Sequence, residues 1–231
     1  MNLSLIIPCY NEAQNLQLLV ERCAGLKDIK DIEVVLVDNG STDNTPECMA
    51  ELTRHHDHIR FIRVDVNKGY GFGILAGLEV ARGNILAWTH ADMQTDPIDV
   101  LEGLKYFIAH GDEVFVKGRR YGRPVMDVFF TIGMTIFETL LLRRVLIDIN
   151  AQPTMFSRNF YMSWKNPPHD FSLDLFAYYM AKENGLHICR MPVLFGERAY
   201  GVSHWNINWK AKIKFIHRTL QYSFELKKRV R

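Results

Sequence analysis

The run Ala87-Trp88-Thr89-His90-Ala91-Asp92-Met93-Gln94-Thr95-Asp96-Pro97 sets an imidazole, two carboxylates and an amide directly behind an apolar stretch. In an extended chain alternate side chains share a face, so His90, Asp92 and Gln94 would point together. Carboxylate and amide oxygens suit a hard divalent ion, Mg²⁺ or Mn²⁺, and imidazole tolerates Mn²⁺ better. Such ions keep several waters and bind through one or two carboxylates plus substrate phosphates. Asp96-Pro97 reads differently, as the cap and first residue of a helix.

Two further polar clusters bear on chemistry. In Val37-Asp38-Asn39-Gly40-Ser41-Thr42-Asp43, Asp38 stands at a strand end, where its carboxylate can accept hydrogen bonds from a base or a ribose. Gly40 permits a turn, and Ser41 and Asp43 can cap the next helix. Asn67-Lys68-Gly69-Tyr70-Gly71-Phe72-Gly73 has the look of a phosphate loop. Its glycines come too late in the chain for a dinucleotide fingerprint, and no G-x-x-x-x-G-K-S/T is present. A nicotinamide dehydrogenase and a P-loop enzyme are therefore excluded. Gly71 and Gly73 instead let a helix begin close to a ligand or to the sheet.

The elements that must position these groups alternate. Leu3–Pro8, Glu33–Asp38, Ile59–Val64, Asn84–His90 and Glu113–Gly118 read as strands, most of them continuously apolar and hence covered on both faces. Helical patterns lie between them. Leu16, Leu19, Val20 and Cys23 share a face; so do Ile74, Leu75, Leu78 and Val80-Ala81, and so do Leu101, Leu104, Phe107 and Ile108. The alternation predicts an α/β fold with a mostly parallel central sheet flanked by helices. Such sheets bind ligands at the carboxyl ends of their strands, and the polar clusters come after the first, second, fourth and fifth strands. The second half is less regular, with a helix at Ser172–Lys182 between loop–strand units.

The charge is uneven. Residues 205–231 hold eight Lys/Arg and one acid, a net of +7, which leaves −5 on residues 1–204 of a chain whose total is +2. Trp205, Trp209, Ile213, Ile216, Leu220 and Phe224 recur at helical spacing, so the tail reads as a basic amphipathic helix with an anionic partner. The acidic body argues against nucleic acid. Val128–Leu142 is the nearest approach to a membrane span, but Glu138 interrupts it; it reads as a core helix or as one lying in a membrane surface. The four cysteines are scattered, without a C-x-x-C pair, and suggest buried thiols in a reducing compartment. The start has too short an apolar run, and no basic residue before it, for a signal peptide.

Taken with their order and spacing, these motifs resemble the family 2 glycosyltransferases of the GT-A fold. The resemblance rests on Pro8-x-Tyr10-Asn11-Glu12, Val37-Asp38-Asn39-Gly40-Ser41-Thr42-Asp43, Ala81-Arg82-Gly83 and Ala91-Asp92-x-Gln94. It continues in Gly118-Arg119-Arg120-Tyr121, Asp148-x-Asn150-Ala151-Gln152-Pro153 and Arg198-x-x-Gly201-x-Ser203-His204. Within that family the chain is most similar to dolichyl- and polyprenyl-phosphate mannose synthases. The resemblance implies a GT-A domain over residues 1–204 and an appended basic helix over 205–231. It implies a donor site of Pro8, Tyr10, Asn11, Glu12, Asp38, Lys68, Ala91, Asp92 and Gln152, with Arg198, Ser203 and His204 at the phosphates or acceptor. Asp92 and Gln94, with His90 beside them, would hold Mg²⁺ or Mn²⁺. Three positions depart from the family pattern: His90 replaces an aspartate, Asn39 replaces the second acid of its motif, and the long helix after Arg120 lacks an arginine.

The activity implied by the resemblance is an inverting transfer from a nucleotide sugar, GDP-mannose or a UDP-sugar, to a lipid-linked acceptor such as polyprenyl phosphate. Asp92, Arg120 and Asp170 are the candidate catalytic residues. A phosphate acceptor, with a second pKa near about 6, is already anionic at neutral pH and needs no base. A sugar hydroxyl, as in surface-polysaccharide synthesis, would need one; Asp170 and Asp174 are candidates for it, and Asp170 reads equally as the cap of the Ser172–Lys182 helix. The expected location is cytoplasmic, on the inner face of a membrane, with room for a membrane-protein partner. A sugar-nucleotide nucleotidyltransferase would need a Gly-rich, basic loop after the first strand, which Pro8-Cys9-Tyr10-Asn11-Glu12 is not. A non-enzymatic membrane-binding module is the remaining alternative.

Overall fold

A computed structural model describes residues 2–27, 29, 31–201 and 209–229. The first half adopts the expected alternation: β1 (Leu3–Cys9), α1 (Ala13–Ala24), β2 (Ile32–Asn39), α2 (Thr45–Thr53), β3 (Ile59–Val64), α3 (Tyr70–Val80) and β4 (Ile85–Trp88). A short 3-10 turn at Pro97–Asp99 then leads into α4 (Val100–His110), β5 (Val114–Tyr121) and α5 (Val125–Leu142). The second half holds β6 (Thr154–Ser157), α6 (Arg158–Met162), α7 (Ser172–Glu183), β7 (His187–Leu194) and α8 (Trp209–Arg229).

The seven strands among the described residues form one sheet in the order β3-β2-β1-β4-β6-β5-β7. All neighbours run parallel except at β6, which is antiparallel to both β4 and β5. The sheet is thus mostly parallel, as expected, with one reversed strand that the sequence pattern does not announce. Because β6 is reversed, its first residues lie at the edge where β4 and β5 end: Trp88 sits opposite Thr154, and Lys117 opposite the same Thr154.

Helices cover both faces, and the strand pleat feeds both layers. Leu3, Leu5, Ile7 and Cys9 of β1 enter one core with α1 and α4, whereas Ile6 enters the other with α3 and α7. On β2, Val34 and Leu36 face the first layer and Val35 and Val37 the second. Each such buried aliphatic side chain is worth about 1.5–3 kcal/mol relative to exposure, so the sheet is a stiff platform. Two expected core residues face outward instead: Ile108 is 72% exposed at the end of α4, and Val80 is 39% exposed at the end of α3. Both lie in the last turns of their helices.

The described part of the tail helix is not a free appendage. Tyr222, Ser223 and Leu226 of α8 are buried. Ser223 donates to the Glu138 carboxylate of α5 at 2.7 Å, and Arg218 pairs with Asp170 at 3.2 Å. No helix among the described residues is long and apolar enough to cross a membrane.

Candidate functional site

Polar groups converge at the carboxyl edge of the sheet. The turn after β1 and the turn after β2 are stitched together. Asn11, at a left-handed φ of 56°, gives its N–H to Ser41 Oγ and accepts the Thr42 N–H on its own amide oxygen. The Glu12 N–H donates to Thr45 Oγ1 at 3.0 Å. Ser41 therefore ties the two turns together rather than capping a helix, while Asp43 accepts the Thr45 N–H as a cap would. Asp38 is fully buried at the end of β2. One of its carboxylate oxygens takes the Ser41 N–H, and the other faces Arg63 at 3.3 Å without a hydrogen bond.

The segment after β4 is not extended. Residues 91–95 bend, with Met93 at φ 59°. His90, Asp92 and Gln94 therefore do not alternate onto one face, and this corrects the expectation from spacing. Asp92 accepts the Gln94 N–H at 3.1 Å and receives Arg198 Nη2 on its other oxygen at 2.7 Å. Gln94 turns its amide to the Gly196 carbonyl, and the Gly196 N–H returns to the Gln94 carbonyl. The loop after β7 is thus pinned beside Asp92. Asp96 caps the 3-10 turn through the Ile98 N–H, as the Asp-Pro pair predicts.

Arg198 lies between two acids, 2.7 Å from Asp92 and 3.7 Å from Glu12. Burial raises the Glu12 carboxyl above its ordinary value; the Asn15 hydrogen bond and Arg198 oppose this, and the charges of Asp92 and Asp43 add to it. His90 stacks on Tyr70, with ring centroids 5.4 Å apart. Burial holds the His90 imidazole below its ordinary pKa, against the pull of Asp92 and Asp174.

Beneath this surface is a buried network that the sequence pattern does not announce. Tyr70 is sandwiched between His90 and Phe171, the latter 4.6 Å away and nearly parallel. The Gln152 amide donates to Tyr70 Oη and to Asp174, and Asp174 also takes the ammonium of Lys117 at 2.8 Å. Both members of that ion pair are fully buried. Gln152 thus acts on the site by bracing it, with its amide committed inside. The glycines of the 69–73 stretch serve the same support: a Cβ at Gly71 would come within 2.7–2.8 Å of the Asp170 and Pro168 carbonyls. The close approach is between backbones, and Lys68 lies exposed above it, 5.1 Å over the Phe72 ring.

Arg120, at the end of β5, makes a two-pronged pair with Asp148 through Nε and Nη2, and its N–H also donates to that carboxylate. Burial would raise the Asp148 carboxyl, but the hydrogen bonds and charge of Arg120, with Arg123, hold it below the usual value. Both guanidiniums lie over the Phe195 ring. Arg120 opens onto a cleft lined by Thr135, Ile149, Asn150, Phe171 and Thr219, between α5, α7 and α8. Asp170 precedes the cleft residue Phe171; it accepts the Ser172 N–H at the start of α7 and pairs with Arg218. Pro8 and Tyr10 are half-buried, Ala91 is buried, and Ser203 and His204 lie outside the described residues.

The arrangement gives carboxylates for a cation, guanidiniums for phosphate, and a cleft beside them. A model of the family described as glycosyl transferase family 2 matches residues 4–184. The chain is 25% identical to a dolichol-phosphate mannosyltransferase of Mycosarcoma maydis, over 94% of this chain and 78% of the relative. It is 34% identical to an undecaprenyl-phosphate 4-deoxy-4-formamido-L-arabinose transferase of Pectobacterium carotovorum, over 46% of this chain and only 33% of the relative. The match thus spans about a third of that relative's length. Among solved structures, a Pyrobaculum calidifontis mannosyltransferase in complex with GDP-Man and Mn²⁺ superposes with a TM-score of 0.71 at 19% identity, covering 99% of this chain and 64% of that one. A Mycobacterium tuberculosis glucosyl-3-phosphoglycerate synthase in complex with UDP superposes at 0.75 and 17% identity, covering 98% and 80%. The fold is the GT-A fold of those structures, and the family model agrees with it: the chain belongs to glycosyl transferase family 2.

Proposed function

We propose that this glycosyltransferase moves a sugar from a nucleoside-diphosphate sugar to a lipid-linked phosphate, with a divalent cation on Asp92. The observation that carries the reading is the Arg198 guanidinium held between Asp92 and Glu12. Two carboxylates already converge on one positive charge, so the donor set fits a hard cation. Asp92, with Glu12 across the same guanidinium, would hold Mg²⁺ or Mn²⁺, while His90 stacks on Tyr70 and the Gln94 amide is turned to Gly196; that ion would neutralise charge on the leaving diphosphate. The solved mannosyltransferase bound to GDP-Man and Mn²⁺ supports this assignment.

The chain's own groups do the rest. Asp38, with one oxygen lacking a hydrogen bond, can accept a donor from the nucleoside. Arg198, released from Asp92, offers two parallel N–H groups to phosphate. Arg120 lines the cleft between α5, α7 and α8 and would fix the acceptor phosphate there. An acceptor phosphate oxygen attacks the anomeric carbon, the sugar–diphosphate C–O bond breaks, and the electron pair leaves on the nucleoside diphosphate. Such a nucleophile needs no proton removed. This suits Asp170, which is committed to a cap and to Arg218.

The acceptor's lipid fits the surface of α5. Val125, Phe129, Ile132, Ile136 and Leu140 form an exposed stripe along it. Such a face lies in a membrane interface, and basic residues of the 205–231 segment would add about 1 kcal/mol each at an anionic surface. The reading is tested by incubating the protein with Mn²⁺, a lipid phosphate and a panel of GDP- and UDP-sugars, and measuring nucleoside diphosphate. Release with one donor, dependent on both metal and lipid phosphate, is expected. No release with any donor would overturn it.

A further inference from the structure

A second cluster of metal-binding side chains lies at the opposite edge of the sheet. β7 is the edge strand and runs parallel to β5, so its first residues are at the amino edge, away from Asp92 and Arg198. His187 and Cys189 are two residues apart on β7 and therefore share a face. That face is covered by α4, whose last residue is His110. The rings of His110 and His187 have centroids 4.9 Å apart. The ligand atoms of His110, His187 and Cys189 all lie within 4.8 Å of one another. Both imidazoles are exposed, and the Cys189 thiol, in a residue 5% exposed, forms the floor.

One sulfur and two imidazole nitrogens are a poor set for Mg²⁺ or Mn²⁺. They are the set of a borderline-soft ion, and three protein ligands leave a fourth tetrahedral position to water. We propose that His110, His187 and Cys189 bind a zinc ion, which clips the end of α4 to the edge strand.

The fit is geometric. Zn–N of about 2.0–2.1 Å and Zn–S of about 2.3 Å place tetrahedral ligand atoms about 3.3–3.7 Å apart. The cluster must tighten by about an ångström, which rotamer changes of two exposed histidines supply. The electrostatics agree, since the exposed turn between α4 and β5 carries Asp112 and Glu113. Burial keeps the Cys189 thiol above its ordinary pKa. Forming the Zn–S bond therefore releases the thiol proton to solvent, and binding tightens as pH rises. The ion would also shield the open edge of β7, where unpaired backbone groups otherwise invite pairing with another chain.

The test uses the full chain, stripped with a chelator, in two forms: unaltered, and as Asp92→Asn, which removes the donor-site carboxylate from the count. Each is dialysed against zinc alone, and bound metal is measured by mass spectrometry. One equivalent is expected in Asp92→Asn and at least one in the unaltered chain, with that one undisturbed by excess Mg²⁺. Cobalt in place of zinc is expected to give a thiolate-to-metal absorption band. Cys189→Ser should abolish the band, and His110→Ala and His187→Ala should each weaken zinc binding at least tenfold. The two histidines are exposed, so their variants fold, which circular dichroism verifies. No bound zinc, or zinc bound equally by all three variants, would overturn the assignment.

Discussion

Arg198 Nη2 stands 2.7 Å from Asp92 Oδ2, and its Nη1 lies 3.7 Å from Glu12 Oε1. The carboxylate assigned to the donor's metal is thus already neutralised by a side chain of the loop after β7. Donor binding would bring a diphosphate and a divalent ion together. The charges would then exchange partners, Asp92 holding the ion and Arg198 the phosphate.

Asp92→Asn removes the charge that holds the ion and keeps the shape. Loss of about 3 kcal/mol of transition-state stabilisation, a factor on the order of 10² in kcat/KM, is expected at saturating Mn²⁺. Steady-state assay of nucleoside diphosphate release measures it; a change below threefold would remove Asp92 from the metal site.

Arg198→Ala separates two roles. Without the guanidinium, Mn²⁺ meets no competing cation on Asp92. Its affinity in the absence of nucleotide should rise about tenfold, the worth of one charged hydrogen bond of ~1.5 kcal/mol. Turnover should fall in the same variant. Titration of Mn²⁺ by its paramagnetic resonance signal reads the first effect. Unchanged affinity would mean that the ion does not use Asp92.

The buried Lys117–Asp174 pair fixes the floor of the site. Lys117→Met leaves the Asp174 charge buried and unpaired, and should cost about 3–5 kcal/mol in urea unfolding. Adding Asp174→Asn leaves no buried charge and should recover much of that loss. A single variant within about 1 kcal/mol of the parent would contradict this role.

Glu138 links the α5–α8 contact to pH. Burial pushes its carboxyl up from 4.5 to about 7, against the Ser223 hydrogen bond. The folded value lies above the unfolded one, so the folded state holds its proton more tightly. The stabilisation is complete below about pH 4.5 and is lost as pH rises to about 7, on the order of 3 kcal/mol. Glu138→Gln should flatten stability across that window and melt higher at pH 8. An unchanged pH profile would show that Glu138 is not the titrating group.

Much of the fold was legible in the chain. The apolar runs marked five parallel strands to within about three residues at either end, because strands covered on both faces must be apolar throughout. Asp96-Pro97 announced its cap. The fold's reversed strand was not legible: β6 is four residues long, and only its ladder with β4 and β5 makes it a strand. The bend at Met93 was hidden for a related reason, since the Gly196 backbone holds it from about a hundred residues away. Tyr70 and Asp148 were missed as site residues because their roles come from partners distant in sequence, His90 and Phe171 for one and Arg120 for the other. Gln152 and Asp174 of the network below the site stood out in the chain, but their link to Lys117 and Tyr70 comes only from contacts distant in sequence.

Transfer of labelled sugar into organic solvent is the most direct measurement. The protein is incubated with Mn²⁺, polyprenyl phosphate in detergent, and the labelled nucleotide sugar that supports turnover. The expected result is label extracted into the organic phase in step with nucleoside diphosphate released, and neither with Asp92→Asn. Release of nucleoside diphosphate while the label stays in water, or appears on a soluble glycan, would contradict a lipid-phosphate acceptor.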